Sequence, residues 1–188
     1  MKTRLLSFGA LLALVASMTI SWSAPALAAT GSTAIPAPPG GSNPDLDALA
    51  CPSATTCIAV GQDGHGAMAA IDTDGAWTST ELPIPPDAAD TAFVRPASIA
   101  CSSDGTCVAV GSYEALINGV NMEEGLVETY SAGSWSVTPV DGYVFFAVTC
   151  PAAGHCLAAG GSPGALVILS QSAGSWEAAP VALPSDIT

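Results

Sequence analysis

The chain has 188 residues, 49% of them hydrophobic and only 10% charged, with 3 Lys+Arg against 16 Asp+Glu. A formal charge of −13 repels phosphate backbones and anionic membrane surfaces, which are held by clusters of Lys and Arg, so nucleic-acid binding is excluded. The length suits one folded domain.

Lys2 and Arg4 precede an apolar run from Leu5 to Ile20, and Pro25 and Ala26-Leu27-Ala28 follow. A positive start, an apolar middle and an A-x-A ending predict a secretory signal peptide over residues 1–28, cleaved after Ala28 or Ala29. An uncleaved anchor is the competing reading; the small residues and the proline favour cleavage. The remaining chain is then secreted and extracellular, with no membrane association. It keeps Arg95 as its one base against 16 acids, a formal charge of −15.

Residues 29–45 include "TGSTAIPAPPGGSNP" and read as a flexible linker, too poor in apolar residues to cover a sheet face. From residue 46 to 188 the chain repeats. "CPSATTCIAVG" starts at Cys51, "CSSDGTCVAVG" at Cys101 and "CPAAGHCLAAG" at Cys150, which predicts three units at about 46–86, 95–140 and 143–184.

Six cysteines in an exported chain predict three disulfides. The common C-x5-C spacing pairs Cys51 with Cys57, Cys101 with Cys107 and Cys150 with Cys156. Zinc sites use tighter C-x2-4-C spacing with further ligands nearby, so no metal and no cofactor are expected.

Within each unit, a strand approaches the first cysteine, as in "FFAVTC". A second leaves the other cysteine with alternating positions Ile58/Val60, Val108/Val110 and Leu157/Ala159. A third follows in "GAMAAI", "GLVETY" and "ALVILS". Asp-Gly or Ala-Gly then turns into a fourth strand beginning at Trp77, Trp135 or Trp176 and ending at Pro83, Pro139 or Pro180. The recurring tryptophan reads as each unit's large packing residue. Two stretches depart from the period: "SYEALINGVNMEE" in unit two and "PPDAADTAF" after unit one, both expected to be loops. The fold class is all-β, three four-stranded repeats.

The pattern C-[PS]-x4-C-[IVL]-A-[VA]-G, followed by G-x-W and a proline, resembles repeats of secreted bacterial proteins of actinobacterial type. These are disulfide-bearing, β-propeller-like and distantly akin to the sialidase, Asp-box group. The resemblance spans Leu46 to about Pro184 and implies propeller blades, here an incomplete propeller. The three-fold number favours instead a β-trefoil, since propellers use at least four blades. Sialidase chemistry would imply three arginines on the substrate carboxylate, and the secreted chain has Arg95 alone.

Candidate sites are sparse. "GGSPG" at Gly160–Gly164 satisfies G-x-S-x-G but occupies a hairpin-loop slot with no helix signal. Asp72 and Asp74 lack a second acidic cluster for calcium, and His65 and His155 fall in different slots. The strongest binding candidates lie in the unit-two insertion: Tyr113, Asn118, Asn121, Glu123 and Glu124. No catalytic set is expected. The functional expectation is a secreted, non-catalytic binding or scaffolding module with a glycan or protein ligand. The alternatives are a glycan-active hydrolase or lyase using Glu123, Glu124 or Glu128, and an incomplete propeller fragment with no independent function. If the units are blades, both end faces are expected to be bare and a homodimer follows.

Overall fold

The computed structural model describes residues 34–89, 93–172 and 174–182. The expected signal peptide, the start of the linker and the last residues of unit three lie outside these.

The described residues form strands and turns and contain no helix. Unit one contributes β1 (Asp45–Ser53), β2 (Thr56–Gln62), β3 (Ala67–Thr73) and β4 (Ala76–Glu81). Unit two contributes β5 (Arg95–Cys101), β6 (Cys107–Ile117), β7 (Val120–Ser131) and β8 (Ser134–Val140). Unit three contributes β9 (Val144–Ala152), β10 (His155–Ser162), β11 (Ala165–Ser172) and β12 (Ser175–Val181). Each unit is one antiparallel four-stranded sheet in sequence order. The first strands gather at the centre, β1 against β5 and β5 against β9.

The repeated phrase builds the first hairpin of each sheet. Disulfides Cys51–Cys57, Cys101–Cys107 and Cys150–Cys156 close its turn end, with Cα atoms 4.0, 4.0 and 4.1 Å apart. Its far end carries a β-bulge in the first strand, at Asp47, Ala97 or Phe146. There the closing glycine of the phrase becomes obligatory. A Cβ on Gly61, Gly111 or Gly160 would overlap the carbonyl oxygen of Asp45, Arg95 or Val144, six residues before the first cysteine in every unit. The hairpin is thus fixed at both ends, covalently and by close backbone approach.

Fixed register gives each sheet two defined faces. The forward face of unit one (Ile58, Val60, Ala69) and the rear face of unit two (Cys107, Ala109, Leu126) form one buried cluster. The forward face of unit two (Val108, Val110, Val127) packs with the rear face of unit three (Cys156, Ala158, Leu169). The tryptophans are half-buried packing residues, one on each rear-side cluster: Trp77, Trp135 and Trp176. Trp135 lies 5.2 Å from the Tyr130 ring, tilted by 48°.

Three expectations need correction. Pro139 and Pro180 do not end their strands, which run on to Val140 and Val181. Both belong to outer-edge strands, where a missing N–H removes no ladder bond. The expected linker is not free: Ile35 packs with Leu46 and Trp77 against buried Ala59, Met68 and Ala70, and Ser79 Oγ donates to the Pro36 carbonyl. Ile35 thereby covers part of the rear face of unit one, while Leu49 on the same face stays exposed. Finally, the unit-two insertion is not a loop but a prolongation of the β6–β7 ladder from Tyr113↔Glu124 to Ile117↔Val120. Asn118 (φ 53°) and Gly119 (φ 79°) turn it, both left-handed as a two-residue hairpin turn requires.

Substituting Gly111→Ala is expected to lower unfolding free energy by at least ~2 kcal/mol, because the methyl group must displace backbone rather than a side chain. Thermal and urea unfolding of the oxidised chain measure this; a neutral substitution would show that the close approach carries no strain constraint.

Candidate functional site

The two departures from the repeat period meet. Residues after β4 run along the prolonged hairpin: Ala88 bridges Ala115, Ala89 N–H donates to the Glu114 carbonyl (3.0 Å), and Leu116 N–H to the Asp87 carbonyl (3.1 Å). The Tyr113 hydroxyl donates to both carboxylate oxygens of Asp87, at 2.9 and 3.0 Å. Burial, then the Asp87 bond and its charge, push the phenol well above its ordinary value, so it stays a neutral donor. From the neighbouring strand, the buried Glu124 carboxylate, cross-strand partner of Tyr113, accepts the Gly142 N–H and ties the hairpin to the β8–β9 turn. The hairpin is therefore fastened by the two connections between units, the β4–β5 segment at Asp87 and the β8–β9 turn at Gly142.

Of the sequence candidates, Tyr113 and Glu124 face inward as these two fastenings. Asn121 and Glu123 are exposed; Asn121 Nδ2 donates to Glu114 Oε2 (3.2 Å), and Glu123 Oε1 accepts from Ser112 Oγ (2.8 Å). Asn118 sits at the hairpin tip. Glu123 and Glu124 diverge to opposite faces of β7, as neighbours on a strand must, so they do not form an acid pair.

Two clefts flank the hairpin. A polar one of about 620 Å³ is lined by Phe93, Arg95, Tyr113, Asn121 and Glu123, with the Arg95 guanidinium stacked 4.4 Å above the Phe93 ring. A larger groove of about 820 Å³ has the hairpin (Asn121–Glu124) as one wall and the forward side of unit three as its floor, through Tyr143, Phe146, Ala159 and Leu166. The sequence reading missed these apolar residues. Their signal was available in the repeat: Leu157 and Ala159 occupy the positions of Ile58/Val60 and Val108/Val110. Those four are 0% exposed, while Leu157 is 46%, Phe146 67% and Leu166 50% exposed.

The other candidates are structural. Ser162 ends β10 and is followed by a turn and β11, with none of the helix that a nucleophile elbow needs. Asp74 lies in the β3–β4 turn (φ 54°), His65 in the β2–β3 turn and His155 at the start of β10. Among the described residues, no group of three His, Cys, Asp or Glu side chains is placed to hold a metal.

Glu128 is a different case. Its cross-strand neighbours Ala109 and Val137 belong to the apolar cluster between units one and two, and unit three has Leu169 at the equivalent place. The side chain is fully buried and neither carboxyl oxygen has a hydrogen-bond partner. Burial pushes its pKa from 4.5 up to about 8. The folded carboxyl thus keeps its proton where the unfolded one has lost it. Folding takes up a proton across that window, so stability falls as pH rises from about 4.5 to 8 and levels off above. Glu128→Leu is expected to stabilise the chain, with a gain at least ~2 kcal/mol larger at pH 8 than at pH 5 by urea unfolding. An equal gain at both pH values would contradict this.

No family model matches the chain, and no curated protein matches it.

Proposed function

We propose that the chain is a secreted, non-catalytic binding or scaffolding module, an incomplete propeller whose three sheets are blades. Strand pairing confined to each unit supports blades over a trefoil. Three disulfides support an oxidising, extracellular setting. The observation that carries the functional reading is the groove between a doubly fastened hairpin and a bare apolar sheet face. Its floor is apolar and its exposed aromatic is Phe146, which suits a protein surface better than a polyhydroxylated glycan. A glycan-active enzyme would be left with the exposed Glu123 and its cross-strand neighbour Glu114, since Glu128 is sealed in the core and Glu124 is spent on a backbone N–H.

Binding of the oxidised chain to glycan and protein arrays, with the chain itself among the spotted proteins, tests the proposal. Protein binding weakened at least ~10-fold by Phe146→Asp is expected, as for a central interface aromatic. Glycan turnover lost in Glu123→Gln, or no binding to any spot, would overturn it.

A further inference from the structure

We infer that the bare forward face of unit three is a self-association surface, and that its occupant is the same face of a second copy of this chain. The inference rests on the groove being a binding surface and names its partner.

The repeat supplies the first ground. Ile58 and Val60 are buried by the next unit, and so are Val108 and Val110. The third copy of that face, centred on Leu157, Ala159 and Ile168, meets no further unit among the described residues. It is built to the same pattern as two faces that are buried by another sheet.

Charge supplies the second. Of the 16 acids, Glu177 alone lies between residues 143 and 182. Two copies of so acidic a chain repel over most of their surface, and unit three is where that repulsion is least. Added salt will therefore strengthen the contact.

Symmetry supplies the third. A head-to-tail stack would need the rear face of unit one, where Ile35 and Pro36 occupy part of the space a second sheet would take and leave Leu49 exposed beside them. With that segment in the way, two forward faces meeting about a two-fold axis need no displacement, and such a contact closes the assembly at two copies. Four strands ~4.8 Å apart and about 25 Å long present roughly 500 Å² per copy, the low end for a specific interface. Interfaces of that size belong to weak, transient association.

Sedimentation velocity of the secreted, oxidised chain from ~1 to ~300 µM at ~0.15 M salt tests this. A monomer–dimer equilibrium is expected, tightened by salt and weakened at least ~10-fold by Leu157→Glu or Phe146→Glu, as for residues central to an interface. Leu49→Glu, at an equally exposed position on unit one, should leave it unchanged. Thermal melts establish that each variant is folded. Independently, a photoreactive phenylalanine analogue in place of Phe146 should cross-link to unit-three peptides of the other copy. A chain that stays monomeric throughout, or a dimer indifferent to both substitutions with cross-links elsewhere, overturns the inference. Monomer together with array binding of an unrelated protein through Phe146 removes the second copy and leaves the binding module standing. Monomer with no array binding removes both.

Discussion

The structure depends on how the first two strands of each unit are held together. A disulfide closes one end of the hairpin, and at the other a bulge drives a carbonyl oxygen onto a glycine that has no side chain to oppose it. Between these fixtures the strands cannot slip. A slip of one residue would exchange the two faces of the sheet, sending Ile58 and Val60 to the rear and Ala59 forward. Because the faces stay distinct, each unit offers an apolar forward face and an apolar rear face, and consecutive units can stack.

Stacking of this kind suits a chain poor in large side chains. On the second strand of each unit the rear face is small, at Ala59, Ala109 and Ala158, and larger neighbours such as Leu126, Phe145 and Leu169 fill the space around it. Each interface buries little area per residue, and each disulfide offsets this by limiting the unfolded chain, by roughly 2 kcal/mol in the loop-entropy account. Glu128 departs from the scheme by placing a carboxyl where Leu169 stands in unit three. The ends also differ: Ile35 packs on part of the rear of unit one, and the front of unit three is bare. The prolonged hairpin overlooks that bare face, held by Asp87 and Gly142 from the connections on either side of unit two.

Much of the architecture was legible in the sequence because it rests on local signals: cysteines six positions apart, alternating apolar residues, and glycine before each tryptophan. The glycine ending "AVG" was legible as a repeat but not as a contact, since the carbonyl it meets is distant in sequence. The unit-two insertion was misread because length variation within a repeat suggests a loop, although Asn118-Gly119 between Tyr113–Ile117 and Val120–Glu124 is a hairpin signal. Of the five binding candidates, Tyr113 and Glu124 are fastenings, and Asn121 and Glu123 line clefts. Neither Ile35 in a Pro- and Gly-rich segment nor Glu128 in a run of strand residues shows its burial locally. Both are decided by which sheet comes to lie opposite.

Non-reducing peptide mapping of the chain purified without reductant tests the pinned-hairpin account most directly. It predicts three bridges, each joining cysteines six positions apart, with one bridge in every unit. A bridge between units, such as Cys57 to Cys101, would contradict it, because the hairpin registers and the faces they define could not then coexist.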